Sequence, residues 1–159
     1  MATVPDTPRH DADRRRLDEA ASQAEVRREA LHTAVVDVTS ALDAAPLGTD
    51  AWLEAVRGAT QRLDAAMRDH VREAEMPEGL LAEIVQWQPS YHRRADAMRA
   101  EHETMLARIA DLLPRVDGST PATELRHAVS DLVLLVDRHR HKALELVLDA
   151  HNLDLAAGD

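Results

Sequence analysis

The chain has 159 residues, the length of one ordinary domain, and its apolar side chains are almost all aliphatic, since it contains no Phe, two Trp and one Tyr. Asp and Glu outnumber Lys and Arg by 29 to 19, and the resulting net charge of −10 argues against a nucleic-acid or anionic-membrane surface. The absence of Cys excludes disulfides, thiolate ligands and iron–sulfur clusters. Because no apolar run has the length of a signal peptide or a membrane span, we expect a soluble, cytoplasmic protein.

Clusters of Pro and Gly divide the chain into four long segments, each with the amphipathic period of a helix. The long helices are predicted at about residues 11–45, 50–76, 90–113 and 120–151. A short helix, "LLAEIVQW", is predicted between the second and the third. Thr120 is the predicted N-cap of the last helix, with Pro121 in its first turn.

The predicted fold is all-α, an antiparallel up-down four-helix bundle over residues 16–155. Each amphipathic helix has an apolar stripe that must be buried, and four helices joined by short connections bury their stripes against one another. Residues 1–15, which are rich in Pro, Asp and Arg, are expected to be disordered.

Nine histidines are present, and a helical projection at about 100° per residue places one of them per long helix on or beside the apolar stripe. These four are His32, His70, His102 and His139. The interval from His32 to His70 nearly equals that from His102 to His139, as expected of a duplicated two-helix hairpin. One buried histidine needs only a hydrogen bond, whereas four neutral imidazoles in an aliphatic core have a desolvation cost that a shared metal ion offsets. The pattern therefore predicts a metal site inside the bundle.

The fourth helix offers two alternatives for its ligand. His141 and Glu145 have the spacing of a ligand pair on one helix face, but the projection turns both outward, whereas His139 lies within about 50° of the centre of the stripe. Either the helix is distorted near Arg138 so that His141 and Glu145 bind the metal, or His139 binds and the helix supplies no carboxylate. The projection favours His139.

Four segments carry a family resemblance: "REALHTAVVDV", "MRDHVREAEMPEGLLAEI", "RAEHETMLARI" and "DRHRHKALELVLDAHNLDL". They are similar to the hemerythrin-like, or HHE cation-binding, family, and most closely to a divergent bacterial branch of it. The resemblance extends over roughly residues 27–151. It implies a four-helix bundle that holds a non-heme diiron site, with carboxylates bridging the metals. The implied iron ligands are His32, His70, His102 and one histidine of the last helix.

The sequence departs from the family pattern at the carboxylates. That pattern has Glu four residues after His on the second and fourth helices, but here Ala74 stands four residues after His70. Glu73 and Glu75 flank that position. Glu75 is the preferred ligand, because hemerythrins also use a five-residue interval and Pro77 can loosen the turn that contains it.

Other polar residues near the stripes have simpler interpretations. Glu101, beside His102, is interpreted as a solvated flank in preference to a hydrogen-bond acceptor for an imidazole. Solvated positions are also expected for the remaining histidines, His10, His92, His127 and His151.

A ligand set of imidazole and carboxylate favours iron, mono- or dinuclear, with zinc as the less favoured substitute. The predicted function is that of a hemerythrin-like metal protein whose centre meets dioxygen, nitric oxide or peroxide. The sequence assigns no catalytic residue and leaves open whether the protein is an enzyme and which proteins it contacts. Two alternatives remain: a metal-free bundle that acts as a protein-interaction module, and a zinc site or pH-responsive histidine cluster without redox chemistry.

Overall fold

The computed structural model describes residues 8–157, and the environments of side chains for residues 11–152. Within that range the chain has helices, turns and connecting segments but no strand, which confirms the all-α prediction. None of the helices in the described part combines the length and the apolarity that a membrane crossing requires. The helices are α1 (Pro8–Ala41), α2 (Asp50–Glu75), α3 (Leu80–Trp87), α4 (His92–Arg115) and α5 (Ala122–Ala157), with one 3-10 turn at Pro89–Tyr91.

The first helix begins earlier than the sequence predicts. Residues 8–15 of the segment expected to be disordered are helical, and residues 1–7 of that segment lie outside the described residues. Two features account for the early start. Arg16 pairs with Asp13 one turn before it, and Leu17, directly after this segment, is buried at 3% exposure.

The last helix is longer than predicted at its C-terminal end and starts slightly later. It continues to Ala157, past the expected end near His151. Pro121 precedes the helix instead of lying in its first turn, and its carbonyl accepts the N–H of Leu125 at 3.0 Å. Because Pro has no N–H to donate, it fits this flanking position as well as the one predicted.

A polar turn joins α1 to α2 and fixes where α2 begins. Thr49 caps α2, with its Oγ1 accepting the N–H of Trp52 at 3.2 Å. Gly48, just before the cap, has a φ of +79°, a region that favours glycine. Trp52 is fully buried, and its Nε1–H donates to the carbonyl of Leu42 at 3.1 Å. The start of α2 is therefore held against the end of α1.

The four long helices form a bundle in which α1 contacts α2, α2 contacts α4, α4 contacts α5 and α5 contacts α1. The short helix α3 packs against α1, α2 and α4. The apolar side chains form two clusters. The larger one includes Leu31, Trp52, Leu63, Met105 and Val129, and the smaller one includes Leu17, Leu81, Ile84, Ala95 and Leu146.

Three helices each carry a histidine between these two apolar clusters. In every case a residue of the larger cluster lies on one side of the histidine along the chain, and a residue of the smaller cluster lies on the other: Met67–His70–Ala74 in α2, Met98–His102–Met105 in α4 and Val136–His139–Leu146 in α5. The helical spacing that builds the core therefore places one polar layer in its interior.

Candidate metal centre

The three histidines of this layer converge on one point. His70, His102 and His139 are exposed by only 6%, 2% and 1%, respectively. The Nε2 atom of His139 lies 3.2 Å from Nε2 of His70 and 3.1 Å from Nε2 of His102. One potential ligand atom from each ring lies within 4.8 Å of the other two, so three buried imidazoles could hold a metal ion between them.

Two carboxylates each orient one ring through its Nδ1 atom, on the side away from the shared Nε2 atoms. The Nδ1–H of His102 donates to Glu75 Oε1 at 2.6 Å, and the Nδ1–H of His139 donates to Glu101 Oε2 at 3.0 Å. Glu101 is itself held by Lys142, which donates to its other oxygen. Because an ionised carboxylate can only accept, each Nδ1 must carry the proton, and each Nε2 then has a lone pair directed into the cluster. Carboxylate–histidine pairs of this kind hold metal-ligating rings in place.

Burial keeps the rings in their neutral, ligating form. It lowers the pKa of His70 to about 3 and that of His139 to about 4, even though Glu101 opposes the shift at His139. Burial likewise lowers the pKa of His102 below its ordinary value. Metal ligation requires the neutral imidazole, so at pH 7 no proton has to be displaced from these nitrogens.

The contact between His102 and His139 has no hydrogen bond to satisfy it. Both rings carry their proton on Nδ1, so the 3.1 Å approach brings two Nε2 lone pairs together. A proton on Nε2 of His70 would satisfy its contact with His139 but not this second one. A cation between the three nitrogens satisfies all of them together.

The two separations between Nε2 of His139 and the other two Nε2 atoms match those between neighbouring ligands of a single metal ion. With metal–nitrogen bonds of about 2.0–2.1 Å, neighbouring ligand atoms are about 3.3–3.4 Å apart in a tetrahedral site and about 2.9 Å apart in an octahedral one. The observed 3.1 and 3.2 Å lie between these values. In either geometry three imidazoles leave at least one coordination position open.

A small cavity adjoins the histidines. Its volume is about 30 Å³, at least twice the roughly 10–15 Å³ that one water molecule requires. Apolar side chains from all five α-helices form most of its wall, and three charged side chains, Arg27, Arg28 and Glu73, complete it. The apolar part of the lining is Ala24, Ala74, Leu80, Leu81, Met98, Ala143 and Leu146.

Three residues expected at the site lie outside the cluster. His32 is exposed, because it follows the fully buried Leu31 by one position and so points about 100° away from the core. His141 is exposed, and its Nδ1–H donates to the carbonyl of Asp137 at 2.7 Å. Glu145 is exposed as well. Of the two alternatives for the last helix, it is His139 that lies in the cluster.

The acidic residues have other roles than the sequence suggests. Glu75 contacts the cluster through Nδ1 of His102, on the side of the ring away from the shared Nε2 atoms. Glu73 accepts a hydrogen bond from Arg27 at 2.9 Å. Glu101 is a hydrogen-bond acceptor for a ring, which the sequence interpretation had disfavoured, and its partner is His139 of α5 instead of the adjacent His102. A periodicity within one helix cannot reveal such a contact, because it depends on how two helices are placed.

Within residues 11–152, this is the one group of three or more His, Cys, Asp or Glu side chains close enough to hold an ion. It contains no carboxylate and no residue of α1. The described residues thus fit a single ion, and they do not bring together the dinuclear ligand set that the family resemblance implies.

The chain matches no protein-family model, no curated protein and no solved structure. Its relation to the hemerythrin-like family therefore stays a prediction from the sequence.

Proposed function

We propose that this protein binds one transition-metal ion through the Nε2 atoms of His70, His102 and His139. The observation that carries the proposal is the convergence of three buried, neutral imidazoles, with Nε2 of His139 only 3.1–3.2 Å from Nε2 of each of the other two rings. Two of the rings are held in the ligating tautomer by Glu75 and Glu101. An arrangement that only filled the core would not need two lone pairs in contact.

The ligand chemistry narrows the choice of metal. Imidazole suits iron, zinc, copper and nickel, whereas magnesium and calcium require oxygen ligands. We propose iron, in a mononuclear site, with zinc as the alternative. Three neutral ligands leave the full charge of a divalent ion uncompensated, which supports binding of a further ligand at an open position.

The small cavity supports a small molecule as that ligand. Its volume of about 30 Å³ admits a molecule of two or three heavy atoms, and its wall is mostly aliphatic. We propose dioxygen, nitric oxide or peroxide, with the metal supplying the coordination position.

The finer description of the fold is part of the same proposal. Consecutive long helices that are joined by short connections contact each other, as α1 does with α2 and α4 does with α5. These contacts support an antiparallel up-down, hemerythrin-like arrangement in which one metal replaces two. A location in the cytoplasm also stays a prediction of the sequence.

Elemental analysis of purified single-residue variants tests the proposal. Protein from iron-supplemented cells should contain about one metal ion per chain, and His102→Ala or His139→Ala should contain almost none. The matched controls are His32→Ala and His141→Ala, which remove exposed histidines of the same bundle. If all four variants retain the metal content of the parent protein, the proposal is wrong. If none of the proteins binds metal, the proposal is wrong as well.

A further inference from the structure

Arg28 of α1 is the charged residue of the cavity that has no partner. It lines the cavity together with His70 and His139, and it lies one helical turn before the exposed His32. Its Nη1 atom is buried and forms no hydrogen bond to any described residue. Leaving a guanidinium N–H without an acceptor in a buried place is costly, and such a group commonly marks the position of a ligand.

The carboxylates around the cavity are already engaged with other groups. Glu73 accepts from Arg27 at 2.9 Å, and Glu75 accepts from the ring of His102. Glu101 is held by the ring of His139 and by Lys142. None of them forms an ion pair with Arg28, so its positive charge is not neutralised at this site.

Arg28 lies beside the histidine cluster. It lines the same cavity as His70, His102 and His139. A divalent ion held by the cluster would therefore lie near a second, uncompensated positive charge. Like charges beside one cavity repel each other, and an anion between them offsets that repulsion.

We propose that the site binds a small inorganic anion, which takes the open coordination position of the metal and accepts a hydrogen bond from Nη1 of Arg28. This inference rests on the metal site proposed above, and it specifies the class of its ligand: anions of two or three heavy atoms in preference to neutral diatomic molecules. The size of the anion follows from the volume of the cavity, about 30 Å³. The negative charge of the ligand is expected because the three imidazoles are neutral. The divalent ion and the unpaired guanidinium therefore both lack a compensating charge. Charge-assisted hydrogen bonds of this type are about twice as strong as neutral ones.

The pattern of α1 supports this role for position 28. Leu17, Leu31 and Val38 are buried at multiples of seven residues along the helix, and Ala24 fills the remaining position of the series. Arg28 falls on the inward face between Ala24 and Leu31, at the level of the cluster. An apolar residue would continue the core there, so the arginine interrupts the stripe where the other three helices supply histidines.

Azide binding to the cobalt-loaded protein tests the inference. The metal-free chain is loaded with Co²⁺, the bound cobalt is measured, and azide is titrated while the visible absorption of cobalt is followed. Arg28→Gln should keep one cobalt per chain and raise the azide Kd at least about tenfold, the effect expected for loss of a charge-assisted hydrogen bond. The matched control is Arg62→Gln, which removes the same charge from an exposed arginine paired with Asp37. It should leave the azide Kd unchanged.

Each outcome separates the anion site from the metal site. An azide Kd in Arg28→Gln equal to that of the parent protein, or a cobalt spectrum that azide does not change, overturns the inference and leaves the metal site standing. Absence of bound cobalt in the parent protein overturns both, and the cobalt measurement identifies that case before azide is added. If Arg28→Gln does not fold, Arg28→Met, whose unbranched apolar stem suits the cavity wall, gives the same comparison.

Discussion

Single side chains behind the rings decide where the lone pairs of the cluster point. Glu101 and Glu75 each fix the proton of one histidine on Nδ1, and so free the Nε2 atom of that ring for the shared centre. Glu101 is ionised under ordinary conditions, because hydrogen bonds from Lys142 and His139 outweigh its burial and lower its pKa. The ligand set therefore depends on residues that do not touch the metal position.

Removal of the carboxylate charge at Glu101 should weaken metal binding without removing a ligand. We expect Glu101→Gln to lower the affinity for Co²⁺ or Zn²⁺ by about tenfold, since metal sites commonly lose 10- to 100-fold in affinity when such a supporting group is changed. Competition with a chromophoric chelator measures the affinity. Glu103→Gln is the matched control, because it makes the same change at an exposed position of the same helix. Equal affinities in the two variants would show that Glu101 does not support the site.

The buried rings also predict how stability depends on pH in the metal-free protein. The folded-state pKa values of His70 and His139, about 3 and about 4, lie below the ordinary value of 6.5 expected in the unfolded chain. The unfolded chain therefore binds more protons below pH 6.5, and stability is lost as the pH falls from 6.5 towards 4. At pH 5 each ring should lower the free energy of unfolding by about 2 kcal/mol.

Urea unfolding with a chelator present, at pH 7.5 and at pH 5, measures this loss. The variant His139→Gln removes one of the titrating groups, so its stability should fall less between the two pH values than that of the parent protein. A parent protein whose stability does not change over this range would contradict the neutral, buried state of the rings.

At the scale of the helices, the sequence predicted the histidines on α2, α4 and α5 because in each of these helices the histidine lies on the apolar stripe itself. His70, His102 and His139 all lie on those faces. The expectation for α1 differed from the structure. This helix runs for 34 residues, and its apolar stripe is interrupted by Arg27 and Arg28 at the level of the cluster. His32, the histidine of α1 nearest to the stripe, was predicted to be a metal ligand although it lies beside the stripe and not on it.

The turn between α2 and α3 has no room for one additional methyl group at Gly79. Gly79 is buried, and a Cβ at this position would lie 2.4 Å from the carbonyl oxygen of Glu73 and 2.8 Å from that of Ala74. Both are backbone atoms and cannot rotate away. The turn delivers Leu80 and Leu81 to the wall of the cavity, so its shape matters to the site.

We expect Gly79→Ala to lower the free energy of unfolding by about 1–3 kcal/mol, through overpacking against the end of α2. The control is Gly58→Ala within α2, where the nearest atom to the new Cβ is the flexible end of Arg62 at 3.4 Å. That substitution should be neutral or should stabilise the helix by up to about 1 kcal/mol, because alanine favours helix over glycine. Urea unfolding measures the free energy of unfolding of both variants. Equal values for the two would contradict the close approach at Gly79.

For the whole molecule, composition and periodicity were enough to predict an all-helical chain with four long helices. They were also enough to predict an interior histidine layer, since the same spacing that buries Met67 and Met105 buries His70 and His102. Contacts between side chains of different helices could not be predicted from the sequence. The bond from Glu101 to His139 and the position of Arg28 depend on the relative rotation of packed helices, and one helical period does not contain that information.

Metal binding should stabilise the whole bundle, because the three ligands come from α2, α4 and α5 and meet only in the folded state. At a free metal concentration about 100 times the Kd, the expected gain is about 2.7 kcal/mol. In a domain of this size that corresponds to a rise in Tm of about 5–10 °C. Thermal unfolding with and without Zn²⁺ measures the shift. A rise of the same size in His102→Ala would show that the ion binds elsewhere.

X-ray absorption spectroscopy of the metal-loaded protein tests the central claim most directly, since it reports the atoms that surround the ion. We predict about three imidazole nitrogens at about 2.0–2.1 Å, the multiple-scattering pattern of histidine rings, and no neighbouring metal. The same spectrum recorded on His139→Ala should lose this signature. A second metal within about 4 Å would instead indicate the dinuclear centre of the family resemblance. A shell of oxygen atoms without imidazole would place the ion on surface carboxylates and contradict the account.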